Sequence, residues 1–201
     1  MGKGETWERE CAKLLSLWWT GGERDDTMWR TSGSGSRFTT RRKQGKDTYN
    51  AAGDLCATDP IAQPLFDYLL IECKRGYAKD RPSESINVLY WLDRPHGTKP
   101  PLLYQWWEKA NQERLAAGRS EALIIFKRTG KRACLMMDGD WLYQDLTPMN
   151  GHYSGMVISM TWDWITLHMG RDQVNQHVVI VDLEYFLDWC PPETIRQMQV
   201  I

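Results

Sequence analysis

The feature that most constrains this chain is an apolar run that ends in charge. Tyr68, Leu69, Leu70 and Ile71 lead directly into Glu72, Cys73 and Lys74. The run reads as an interior strand. Residues two apart on a strand share a face, so Glu72 and Lys74 point one way and Cys73 points the other way, into the core. The fold must therefore accommodate an acid and a base side by side at the end of a buried strand.

The rest of the chain supplies the frame. Residues 5–19 read as a helix, with Ala12, Leu15 and Trp19 at spacings of three and four and Gly21-Gly22 as the stop. Residues 27–32 read as a short strand. Residues 33–53, rich in Gly, Ser and basic side chains, read as a mobile loop. Residues 54–59 read as a strand, Pro60 to Pro64 as a turn, and 66–74 as the hairpin partner of 54–59. Residues 102–117 read as a second helix, and 121–128 and 132–137 as two strands around Thr129-Gly130. Residues 178–190 read as a strand running into a short helix, stopped by Pro191-Pro192. Helix, three strands, helix, strands is the order of an α/β protein with a mixed sheet flanked by helices.

Length and composition narrow the function. A chain of 201 residues with 11 Trp suits one domain with a substantial core. It has no apolar run of membrane-spanning length, and its charged opening does not read as a signal peptide. The five cysteines form no C-x-x-C pair and read as reduced thiols of a cytoplasmic protein; a compact, Trp-rich chain of this kind would suit a bacterium or a phage-infected cell. Residues 1–132 hold 23 basic and 17 acidic side chains, whereas 133–201 hold 2 and 9. From Thr27 to Lys46 there are six basic residues and no acid. Such a block suits a polyanion partner on one face, or a solvated loop. The pairs Trp18-Trp19 and Trp106-Trp107 could stack on bases or fill a core.

If 54–59 pairs with 66–74, Asp54 arrives near Glu72. Two carboxylates and the Lys74 ammonium then converge on one spot. Like carboxylates repel unless something positive lies between them. A divalent cation with oxygen ligands answers that need, and Mg²⁺ keeps waters and phosphate in its shell. An E-x-K tripeptide alone also describes an exposed strand end with a solvated salt bridge. The combination Gly-Asp, 17 residues, Glu-x-Lys is more specific.

Four ordered motifs carry a resemblance: "KGETWERE" at 3–10, "RTSGSG" at 30–35, "GDLCA" at 53–57 and "IECK" at 71–74. Together they resemble the PD-(D/E)XK nuclease superfamily, and within it the archaeal-type Holliday junction resolvases. The likeness covers residues 3–76 and extends loosely to about 137. It implies a restriction-endonuclease-like core over 1–137, with 138–201 as an acidic extension packed on the same domain. It implies Asp54, Glu72 and the carbonyl of Cys73 as ligands of Mg²⁺, for which Mn²⁺ could substitute, and Lys74 as the catalytic lysine. Glu8 matches the family's helix acid, a further metal or water ligand, and Glu5 one turn earlier could take its place. Arg9 and Arg30 match arginines that meet phosphate, and Ser34 or Ser36 a loop serine. Arg37, Arg41, Arg42 and Lys43 would complete the DNA contacts. The loop at 33–53 is longer than in the small resolvases, and 138–201 has no counterpart there.

The expectation is a metal-dependent endonuclease selective for branched DNA, acting as a homodimer or higher homo-oligomer. It involves no membrane and, without a P-loop, no nucleotide cofactor. A repair, packaging or restriction-type nuclease of the same fold and a non-catalytic DNA-binding subunit are the alternatives.

Overall fold

The computed structural model describes residues 3–31, 52–76, 86, 102–161 and 177–198. Helix α1, Lys3–Trp19, buries Trp7, Cys11, Ala12, Leu15 and Trp19 on one stripe, the 3.6-residue period read from its sequence. It ends where Gly21 takes φ 65° and the Gly22 N–H donates to the Leu17 carbonyl at 2.7 Å.

Strands β1, Met28–Arg30, and β2, Leu55–Ala57, pair antiparallel in a two-stranded sheet, with Trp29 opposite Cys56. The main sheet has five strands: β3 (Leu69–Arg75), β4 (Glu121–Lys127), β5 (Ala133–Asp138), β6 (Val157–Thr161) and β7 (His177–Asp182). Their spatial order is β3-β4-β5-β7-β6. β3 and β4 are parallel and the other pairs antiparallel, so the sheet is mixed as expected.

The expected hairpin between 54–59 and 66–74 does not form. The intervening residues are helical rather than a simple turn. The Asp59 carboxylate accepts from the Ile61 N–H at 3.0 Å and caps the 3₁₀ turn Pro60–Ala62, which runs into helix α2, Gln63–Tyr68. Pro60 and Pro64 occupy first-turn positions, where a missing N–H costs nothing. Residues 66–68 therefore belong to α2, and the strand begins at Leu69. β3 pairs instead with β4, the first strand beyond helix α3, Leu102–Ala116. Its first five residues are all buried, the pattern of a strand covered on both faces.

Helix α1 covers one face of the sheet together with α4, Leu183–Trp189, and α5, Pro192–Met198. Helix α3 covers the other through Leu103, Trp106, Trp107 and Ala110. Trp18 and Trp19 pack in the first layer and Trp106 and Trp107 are buried in the second, so both Trp pairs are core. Pro191-Pro192 separates two helices rather than ending the helical region, because Pro192 opens α5. Strands β6 and β7, both C-terminal to residue 138, are members of the same sheet. The five cysteines are free. Among the described residues, no helix is long and apolar enough to cross a membrane.

Candidate functional site

The site grows from the alternation of β3. Leu70 packs in the α3 layer, whereas Ile71 and Cys73 pack in the α1 layer. Glu72 and Lys74 share the face of Leu70, toward α3. Burial and the neighbouring Cys11 push the Cys73 thiol well above its usual range, so it is an inert core group.

Asp54 is delivered by a close backbone approach. Gly53 has φ 78°, and a Cβ there would lie 2.7 Å from the Ile71 carbonyl oxygen. With no side chain in the way, the Asp54 N–H donates to that oxygen at 2.8 Å. The Asp54 carboxylate in turn accepts the Cys73 N–H at 2.8 Å through Oδ2. Asp54 thus reaches the end of β3 without the hairpin that the sequence suggested.

Lys74 joins the two acids. Its Nζ lies 3.4 Å from Asp54 Oδ2 and in direct contact with Glu72 Oε2. Burial pushes the Asp54 carboxyl above its usual range, and the nearby Glu72 charge adds to this; Lys74 and the Cys73 N–H pull it part of the way back. For Lys74, burial acts to lower the pKa, but the two carboxylates outweigh it and the ammonium is held above its usual range.

The donor set suits a hard divalent ion. Its side chains are carboxylates, and Glu72 Oε1 is buried with no hydrogen-bond partner. An acceptor oxygen removed from water without a donor is costly unless a cation satisfies it. Among the described residues, no group of three His, Cys, Asp or Glu side chains could hold an ion by itself. An ion would need backbone carbonyl, water or phosphate oxygens to complete its shell, as Mg²⁺ ordinarily does.

Glu8 sits in a second cluster beside the first. Arg30 donates to Glu8 Oε2 at 2.9 Å and lies 3.3 Å from Glu5 Oε1, so both helix acids converge on one guanidinium. Arg30 faces Leu55 across the β1–β2 ladder, and the Thr31 N–H donates to the Asp54 carbonyl at 2.8 Å. The two clusters are therefore joined through backbone. The Arg9 guanidinium lies 5.7 Å from the centre of the Trp29 ring. Ser34, Ser36, Arg37, Arg41, Arg42 and Lys43 fall outside the described residues.

Sequence reasoning missed a contribution from α3. Lys109 Nζ lies 3.9 Å from Glu72 Oε1 and 3.4 Å from Glu113 Oε1. The sequence shows Lys109 and Glu113 four residues apart on the 102–117 helix, a spacing that pairs them with each other but does not point to Glu72. Also missed was a basic rim at the strand ends. Arg75 and Lys127, opposite each other in the β3–β4 register, both approach the Trp7 ring, and Arg75 pairs with Glu10 at 3.1 Å.

Comparison with known families gives one finding. The model of the family described as "Phage putative PDDEXK endonuclease" matches residues 1–197. No curated protein and no solved structure matches the chain.

Proposed function

The chain belongs to this phage PDDEXK endonuclease family, and so to the PD-(D/E)XK nuclease superfamily; from that premise we propose that it hydrolyses DNA phosphodiesters at the Asp54–Glu72–Lys74 cluster with Mg²⁺. The observation that carries this reading is the convergence of two buried carboxylates on one ammonium, with Glu72 Oε1 left without a donor.

The geometry supports the following roles. Asp54, Glu72 and the Cys73 carbonyl would hold the ion. When bound, such an ion polarises a phosphodiester and lowers the pKa of a coordinated water. The Cys73 N–H binds Asp54 Oδ2 and restrains the carboxylate beside β3. Lys74 presents a fixed ammonium between the acids, where it can stabilise charge growing on the phosphate. Glu8 would supply a further metal or water ligand, and its bond to Arg30 ties α1 to the β1–β2 sheet next to Asp54. The phosphate backbone is met by Arg9 and Arg30 and by the loop residues Ser34, Ser36, Arg37, Arg41, Arg42 and Lys43.

The preferred substrate is branched DNA, cut by a symmetric dimer whose paired sites act on two strands. Strands β6 and β7 and helices α4 and α5, all C-terminal to residue 138, pack on the same sheet and core, which supports selection by DNA shape. In this reading residues 1–137 carry the nuclease motifs, and 138–201 would complete the same domain.

The test is cleavage with Mg²⁺ or Mn²⁺ of a four-way junction, a flap, linear duplex and single strand, by wild type and Asp54→Ala. Paired symmetric nicks in the junction, absent from the variant, are the expected result. Cutting of another substrate would keep the nuclease and replace its target. Binding without cutting by wild type would overturn the enzymatic reading in favour of a DNA-binding subunit.

A further inference from the structure

Helix α3 places one turn over the face of β3 that carries Glu72. Lys109 and Glu113 lie on that turn, four residues apart and so on one side of the helix. Glu113 is 7% exposed, and its Oε2 is buried with no hydrogen-bond partner. Its Oε1 is 3.4 Å from Lys109 Nζ. Lys109 itself is half exposed, with its ammonium between Glu113 and Glu72.

A surface lysine pairing within its own helix does not require this arrangement. An exposed i,i+4 pair works with both partners in water, and burying one carboxylate makes it costlier. The distance to Glu72 is also informative. At 3.9 Å, the ammonium offsets the Glu72 charge without donating a hydrogen bond to Oε1. Lys109 therefore stands beside the open acceptor and leaves it free. Around this spot Asp54, Glu72 and Glu113 bring three negative charges, and Lys74 and Lys109 bring two positive ones. A divalent ion would leave one positive charge, which matches a phosphodiester anion.

We propose that Lys109 is a second phosphate-contacting lysine of the site, held over Glu72 by Glu113 as its positioning residue. The inference rests on the reading of Asp54, Glu72 and Lys74 as the hydrolytic centre. Lys109 reaches the substrate from solvent, and Glu113 keeps it from collapsing onto Glu72 Oε1 when no phosphate is present.

Four full-length variants test it: Lys109→Met, Lys109→Arg, Glu113→Gln and the double variant Lys109→Met/Glu113→Gln. In EDTA, where no cleavage occurs, Lys109→Met should flatten the salt dependence of duplex binding by about 0.9 in log–log slope, the loss of one phosphate contact. In single-turnover cleavage Lys109→Met should fall about 100-fold, the scale of one lost charge-stabilising donor, and Lys109→Arg should retain most of the rate. Lys109→Met strands a buried Glu113 carboxylate and should lower the melting temperature. The double variant should recover the melting temperature and not the rate. Recovery of both in the double variant would make Lys109 a structural partner only and overturn the proposal. So would wild-type cleavage and an unchanged slope in Lys109→Met alongside an inactive Asp54→Ala. If Asp54→Ala itself cleaves like wild type, the reading of the centre fails instead.

Discussion

Gly53→Ala should damage this protein out of proportion to the one methyl group it adds. The residue has φ 78°, a conformation that costs an L-residue roughly 1–2 kcal/mol. The new Cβ would lie 2.7 Å from the Ile71 carbonyl oxygen and 3.3 Å from its nitrogen, and both are strand backbone that cannot rotate away. Restoring an ordinary 3.4 Å contact moves Gly53 and β3 apart by about 0.7 Å. The Asp54 N–H bond to the same oxygen, 2.8 Å long, then stretches past useful length, at a cost of about 1 kcal/mol. The Asp54 carboxylate is drawn off the Cys73 N–H by the same shift. The expected loss is roughly 2–4 kcal/mol in stability. Misplacing Asp54 by most of an ångström should cost about 100-fold in cleavage even in fully folded protein. Gly118→Ala is the control: Gly118 has φ 66° but nothing within 4 Å of a Cβ, so only the same backbone term of roughly 1–2 kcal/mol applies. Urea midpoints, and cleavage rates well below the melting temperature, measure both. If Gly53→Ala is no less stable than Gly118→Ala and cleaves normally, close backbone approach does not place Asp54 and the reasoning is wrong.

Two further outcomes can be checked on the fold alone. Trp19 and Trp107 are both 1% exposed, but the Trp19 N–H donates to the Ile61 carbonyl at 2.7 Å while the Trp107 N–H has no partner. Trp19→Phe should therefore cost about 1 kcal/mol more than Trp107→Phe in urea denaturation, and equal losses would contradict this. Glu121, at the opposite end of β4 from the site, is pushed from an ordinary value of 4.5 to about 7 by burial and by Asp138 and Asp145, against the pull of Arg114. The folded chain keeps this proton where the unfolded chain has lost it. Its contribution is thus complete below pH 4.5 and lost as pH rises through about 7. Glu121→Gln should melt with wild type at pH 4 and above it at pH 8; a constant difference across pH would show that the carboxyl is not buried as described.

The parts of the fold legible in the sequence were those set by local period. Ala12, Leu15 and Trp19 declared the first helix by spacing, residues 102–117 read as the second, and Thr129-Gly130 marked the β4–β5 turn. Asp54, Glu72 and Lys74 were brought together in the sequence by an expected hairpin and by the ordered motifs; the hairpin does not form, yet the three converge because Gly53 lets Asp54 approach β3 directly. The partner itself was not legible. Short Pro-containing segments such as 60–68 satisfy both turn and helix, and only tertiary burial of Leu65 and Phe66 decides. The all-apolar character of Leu69 to Ile71 was the neglected clue to a parallel neighbour. Lys109 and Glu113 were invisible as site residues because their meeting with Glu72 depends on how α3 lies across the sheet, which no local pattern encodes.

The strand order also sets a timetable. β7, the last described strand in sequence, lies between β5 and β6. While the chain emerges from the ribosome, β5 has an open edge and β6 has no partner among the described strands until residues 177–182 appear. The residues proposed for hydrolysis are synthesised before β7, and the sheet beneath them closes only once β7 has followed and its most distant contacts can form. A chain interrupted before β7 should therefore leave β5 with an open edge and β6 without its partner.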